Sequence, residues 1–342
     1  MDPSLLESLR ALTAQPVALE KLKSVVSEHH VSRPLVAADL LELTESIAIS
    51  GVHPRLLLYH LRSACGLEPV PGSDRVVEWL REYPGEIGQV MGFDLRTCRL
   101  VYSDWSVTAP EFIPPQQYDD PHGFTERIWK GIRASGAVAA IGGYNHIRPA
   151  YGGGLFAADG GARTLHLGLD VFAEPGSPVF APLDGVVHSV ADNAAPFDYG
   201  PCLVLEHRPR AEMPCFYTLY GHLAAEVLEL QPGQPIRKGT QVAQLGNFPE
   251  NGNWPPHLHV QLVLDMLDKR GDFWGSCHPA HFEVWLSLCP DANLTAQVPV
   301  HLFPVVPPEQ RCCPESAGRA VARGPDGTVF DACGQRLERS QR

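Results

Sequence analysis

The chain has 342 residues, 44% of them hydrophobic, and 27 basic against 39 acidic side chains leave it a net charge of −12. That length allows two domains with buried cores, while the acidic balance argues against nonspecific binding to nucleic acid or an anionic membrane, both of which need positive surface. No window offers the roughly 18 consecutive apolar residues of a spanning helix, and 32 prolines with 31 glycines weigh against a largely helical protein.

The opening "MDPSLLESLRALTAQP" is acidic and amphipathic, without the basic start and apolar core of a secretory signal peptide. Nine cysteines are scattered with no C-x-x-C pair, and only Cys312-Cys313 are adjacent. This reads as a set of reduced thiols in a cytoplasmic protein rather than a disulfide framework.

Residues 1–84 read as a helical N-terminal region. "LLESLRAL", "ALEKLKSVVSEH", "VAADLLELTESIA" and "RLLLYHLRSA" repeat apolar residues at three- and four-residue spacing. Pro16 and Pro34 sit near helix starts, and Ser73-Asp74 is placed to cap "RVVEWLREY". No chemistry is legible in this part.

The texture changes over 85–137, read as a small α+β adaptor. "QVMGFDL" and "CRLVYSDWS" look like two strands around a turn. "FTERIWKGIRASG" follows as a helix with Ile128, Trp129 and Ile132 on one side and Gly136 at its end. "AVAAIGGYNHIRPAYGG" predicts another pair of strands.

From about 138 to 265 the chain is strand-rich, within a β domain expected over 138–297. "PVFAPLDGVVHSV", "CLVLEHRP", "CFYTLYGHL", "TQVAQLG" and "HLHVQLVL" alternate or run apolar between Gly, Pro, Asn and Asp punctuation. The fold class expected is therefore mainly β, an antiparallel sheet or open barrel, behind a helical region and the adaptor. "PAHFEVWLSLC" suggests a closing helix, and the tail 298–342 is Pro-rich and then charged.

Potential metal ligands gather at three places in this strand-rich part. In "HLGLD", His166 and Asp170 would lie about 13 Å apart on a straight strand, too far to share an ion, but Gly168 between them permits a bend or bulge. His222 closes a strand in "LYGHL". In "PPHLHV", His257 and His259 share one face of a strand, about 6.6 Å apart, with Leu258 turned to the other side. Four histidines and one carboxylate suit zinc, whose catalytic sites keep three protein ligands and an open position for water. The surplus groups are what a hydrolase needs beside its metal for moving protons and holding an oxyanion.

These motifs, in this order, resemble the lysostaphin-like (LytM-type) zinc metallopeptidases over roughly residues 138–265, with "APLDGVV" and "PGQPIRKGTQVAQLG" resembling the β core of that family. The resemblance implies one Zn2+ per chain, held by His166, Asp170 and His259. It implies that His222 and His257 are catalytic non-ligands that take a proton from the water or hydrogen-bond the oxyanion, in an order the sequence leaves open. It further implies endopeptidase-type cleavage of a peptide or peptidoglycan-like substrate. Tyr220, Asn253 and Trp254 are the candidate walls of the substrate groove.

A second resemblance covers 85–310, which looks like the peptidase-like middle domain of fusion proteins that continue into a class III aminotransferase. The tail "VARGPDGTVFDACGQRLE" is similar to the opening hairpin of that enzyme, with Asp326-Gly327 as its turn. An aminotransferase is therefore the expected protein partner, and the alternative to the hydrolase is a non-proteolytic zinc-binding module that docks onto it. Biotinyl and lipoyl carriers share similar β segments, but Lys238 lies in "RKGT" rather than at an exposed hairpin tip.

Overall fold

A computed structural model describes residues 3–13, 18–105, 109, 120–148, 156–158 and 161–304, with three short strands within 320–337. Four helices open the chain: α1 (Pro3–Leu12), α2 (Ala18–Ser32), α3 (Ala37–Ser46) and α4 (Pro54–Ala64). Their buried residues keep the helical spacing seen in the sequence. Leu5 and Leu9, Leu22 and Val26, Leu40 and Leu43, and Leu57 and Leu61 close into one apolar cluster.

The other face of α4 belongs to the β region. Leu56 and Tyr59 pack in a cluster with Tyr199, Val263 and Trp285. The Tyr59 hydroxyl donates to Asp265 at 2.6 Å, and Arg55 pairs with Asp265 and Asp268, each at 2.8 Å. Helix α5 (Ser73–Glu82) corrects one expectation. Its N-cap is Gly72 with φ 87°, and the carboxylate of Glu68, not Ser73 or Asp74, accepts the Gly72 and Asp74 amides at 3.0 and 2.9 Å. A side chain four residues upstream reaches the helix end that the local sequence suggested would cap itself.

The main sheet has eight strands: β1 (Leu100–Tyr102), β2 (Ala139–Gly142), β3 (Leu169–Phe172), β4 (Gly185–Asn193), β5 (Gly200–His207), β6 (Phe216–Gly221), β7 (Pro235–Ile236) and β8 (His257–Val263). Their order is β1-β2-β3-β8-β6-β5-β4-β7, antiparallel throughout except for the parallel β1–β2 pair. The two edge strands do not pair with each other, so the sheet is open.

Only the second of the two strands expected near 90–105 forms. "QVMGFDL" makes a single bridge, Met91 to Val179, and buries Val90, Met91 and Leu95 without a ladder. The helix α6 (Pro121–Ser135) starts on Asp120, which accepts from Gly123, and ends on Gly136 with φ 63°. It packs Phe124, Ile128 and Ile132 against Trp105 and Phe172. The closing helix α7 (Phe282–Leu288) forms as well.

Alternation sorts the central strands into two faces. Leu169 and Val171 of β3, Leu258 and Val260 of β8, and Leu203 and Leu205 of β5 share one buried core. Asp170, His257, His259 and Gln261 point to the opposite side. In the tail, Ala320–Arg323 pairs antiparallel with Val329–Asp331, and the expected turn at Asp326-Gly327 lies outside the described residues. Among the described residues, no helix is long and apolar enough to cross a membrane.

Candidate metal centre

Register brings the first two groups together. On the paired strands β3 and β8, Asp170 lies directly opposite His259, and His257 opposite Phe172. His166 arrives from another sheet: Leu165–His166 pairs with His146–Ile147 and with Ser276–Cys277, and the chain changes sheets at Leu167-Gly168 before β3 begins. That break brings His166 Nε2 to 3.4 Å from Asp170 Oδ1, although their positions on one straight strand would keep them far apart. Gly168 is also required by space, since a Cβ there would overlap the His259 ring.

Hydrogen bonds fix which ring nitrogens carry protons. His166 Nδ1–H donates to the Gly143 carbonyl at 2.9 Å, which leaves a lone pair on Nε2. Gln261 is anchored by its amide nitrogen to the Trp274 carbonyl at 3.0 Å and to Cys289 Sγ at 3.3 Å, so its oxygen faces His259 and accepts from Nε2–H at 3.0 Å. The lone pair of His259 is therefore on Nδ1.

Three donor atoms then face one another. His166 Nε2 is 3.1 Å from His259 Nδ1, His259 Nδ1 is 3.1 Å from Asp170 Oδ1, and the third side is 3.4 Å. None brings a hydrogen to the centre, so the triangle is electrostatically repulsive by itself and complementary to a cation. A tetrahedral zinc with ligand bonds of roughly 2.0–2.1 Å spaces its donors by about 3.3–3.4 Å. The residues present therefore fit zinc in type, number and spacing, and among the described residues they are the only His/Cys/Asp/Glu group that does.

Burial sets the protonation. Desolvation, with Arg148 nearby, pushes His166 down to about 3, against the opposing pull of Asp170. Burial raises the Asp170 carboxyl, but Arg148, then His166 and His257, outweigh it and hold it well below the usual carboxylate range. At neutral pH Asp170 is therefore a carboxylate and His166 a neutral imidazole.

His257 and His222 stand beside this triangle. His257 Nδ1–H donates to the Pro255 carbonyl at 2.6 Å, and its Nε2 lies 3.8 Å from Asp170 Oδ1. His222 sits in the left-handed region at φ 62°, just past the end of β6, and its Nδ1–H donates to the Asn251 carbonyl at 2.9 Å. The two rings lie 4.2 Å apart. Both therefore present Nε2 as the basic atom. Burial pushes His257 down to about 4, partly opposed by Asp170, and burial with His257 and His259 holds His222 well below its ordinary value.

Of the three residues expected to wall a groove, one lies on the cavity beside the centre. Trp254 lines the cavity of about 230 Å3 over the centre, together with Trp105, Phe197, Tyr199 and Trp274. Asn253 is half-buried, with φ 64°, outside that lining. Tyr220 is on the wrong face: it alternates with Leu219 and Gly221 on β6, packs in the core, and its hydroxyl meets Thr218 Oγ1 at 2.8 Å. The phenol that reaches the site is Tyr199, 3.5 Å from His259 Nε2.

Sequence reasoning missed Tyr199, Gln261 and Arg148. Gln261 carried a usable signal, being two residues beyond His259 on the same strand face. Arg148, with its Nη1 2.6 Å from Asp170 Oδ2, carried none, because it approaches from a segment 22 residues away.

Residues 164–268 match the model of peptidase family M23. A curated relative, an uncharacterized metalloprotease of Haemophilus influenzae, is 33% identical over 100 residues, which make up 29% of this chain and 19% of that protein. The chain thus spans about a fifth of the length of that relative. A zinc containing peptidase from Vibrio cholerae is 27% identical over 31% of this chain and 29% of its own, with a TM-score of 0.24. The catalytic domain of lysostaphin from Staphylococcus simulans is 21% identical over 41% of this chain and 85% of its own, with a TM-score of 0.27. The family match, over this one segment, supports a function of metallopeptidase type.

Proposed function

We propose that the chain is a zinc-dependent peptide hydrolase of endopeptidase type, with His166, Asp170 and His259 as metal ligands. The observation that carries the reading is the triangle of three lone-pair atoms at 3.1–3.4 Å, each held by a hydrogen bond or ion pair behind it. A zinc ion held there supplies a Lewis acid for the scissile carbonyl and lowers the pKa of a water to about 7.

The chain's own residues do the rest. His257 and His222 are neutral, buried and anchored through Nδ1–H, so Nε2 of either accepts a proton from the attacking water and, once protonated, can donate to the tetrahedral oxyanion or the leaving amine. Trp254 and the neighbouring aromatic walls exclude water and hold an extended peptide. The substrate class is a peptide or peptidoglycan-like strand.

Metal analysis of the purified full chain should find about one zinc per chain, lost in His259→Ala. Incubation of the zinc-loaded protein with glycine-rich peptides and peptidoglycan fragments should give cleavage that a chelator abolishes. No bound zinc would sink the reading. Bound zinc without cleavage across a broad peptide library, together with co-purification of an aminotransferase, would replace it with the docking module.

A further inference from the structure

Arg148 forms an ion pair with the carboxylate oxygen that the metal triangle does not use. Its Nη1 is 2.6 Å from Asp170 Oδ2, and both side chains are 1% exposed. Its guanidinium lies 4.8 Å from the centre of the Trp105 ring, which is itself packed on Phe124 at 4.6 Å and Phe172 at 5.1 Å. Gly142 leaves the room: a Cβ there would stand 2.9 Å from Arg148 Nη2 and 3.3 Å from Asp170 Cβ. The cation is thus seated by an aromatic face above, the carboxylate beside it and a bare backbone below.

We propose that Arg148 is a positioning residue that takes the metal's electrostatic place when no metal is bound, so that the centre assembles before the ion arrives. The inference rests on the zinc reading above. A buried carboxylate facing two lone pairs is unstable without a counter-charge. Arg148 supplies that charge from the side of Oδ2 and leaves Oδ1 turned toward His166 and His259. The same positive charge repels an incoming cation, so the arrangement exchanges some metal affinity for folding that does not wait on metal.

The test compares thermal unfolding of the full chain in chelator and in excess zinc. Arg148→Met should lower the melting temperature of the chelated protein by roughly 6–20 °C, the loss expected for an unpaired buried charge. In zinc the loss should be less than half as large, so the zinc-induced rise is greater in the variant than in the wild type. Arg148→Lys, which keeps the charge, should recover part of the chelated value. In an Asp170→Asn background, where no carboxylate needs pairing, Arg148→Met should cost much less.

Equal losses in chelator and zinc, with no rescue by Lys, would overturn the inference and leave Arg148 a packing residue. Should Arg148→Met fail to fold in either condition, recovery of folding in the double variant with Asp170→Asn supports the inference, and failure of the double variant overturns it. A wild-type protein that neither binds zinc nor gains melting temperature from it overturns the zinc reading and this inference together. Bound zinc with equal losses overturns this inference alone.

Discussion

At the scale of single residues, each site histidine turns inward the ring nitrogen opposite the one that is anchored. His166 and His257 both donate through Nδ1, and His259 donates through Nε2 to Gln261. Replacing Gln261 with Leu removes the acceptor that sets the His259 tautomer, and zinc affinity should fall about 10- to 100-fold in competition with a chelator. An unchanged affinity would mean that packing alone orients the ring. His257→Ala or His222→Ala should lower turnover by about 10²- to 10⁴-fold while metal analysis still finds close to one zinc per chain. Loss of zinc in either variant would show that the residue is a ligand and reverse its assignment. The residue types at the site were legible in the sequence because zinc chemistry needs few side chains. Tyr220 was misplaced because sequence order does not say which of two tyrosines, 199 or 220, faces the cavity.

At the scale of elements, the centre depends on where strands stop. His166 and Asp170 converge because the chain leaves one sheet at Leu167-Gly168 and enters another at Leu169. Gly168→Ala would place a methyl in the His259 ring, so this variant should lose zinc and melt at lower temperature. Gly131→Ala is the matched control: it lies mid-helix in α6 with open space around the missing Cβ, and it should stabilise by about 0.4–1 kcal/mol in denaturant unfolding. Zinc retained at wild-type level in Gly168→Ala would remove the steric argument. The strands and helices with strong periodicity were readable in advance, including β8 and α6. "QVMGFDL" was not, because an apolar run buries equally well as a strand or as a single bridge against Val179.

At the scale of the whole molecule, buried neutral histidines couple stability to pH. Burial pushes His60 down to about 3, with His281 and Lys23 adding to the effect, and pushes His207 down to about 4 against the Asp184 carbonyl. His166 and His257 fall the same way, to about 3 and about 4. An unfolded histidine titrates near 6.5. Between that value and about 3–4 the unfolded chain therefore binds more protons than the folded one, so stability is full above about pH 6.5 and drains as pH falls. Melting temperatures of the chelated protein should drop progressively from about pH 6.5 to about pH 4. A flat profile over that window would show that these histidines are protonated in the fold. His60 packs against the His281 ring and His207 bonds the Asp184 carbonyl and Thr218, so the effect reports on the molecule as a whole rather than on the metal centre alone.

The sequence by itself supplied five candidate groups, four histidines and a carboxylate, their order along the chain and the face that β8 presents, and the family resemblance picked three of them as ligands. Ligand chemistry is a property of residue types, and a two-residue period needs no tertiary information. The helical stripes of the first four helices were legible for the same reason. Only the tertiary structure decided that His166 comes from a different sheet than Asp170, that Trp274 and Cys289 turn the Gln261 oxygen toward His259, and that Arg148 pairs with the buried carboxylate. Those facts depend on segments that meet across tens of residues, and local pattern carries no record of such meetings. That Tyr220 faces the core follows from the register of β6 against β8, which pairs it with Val260, since one residue of shift moves every side chain to the other face.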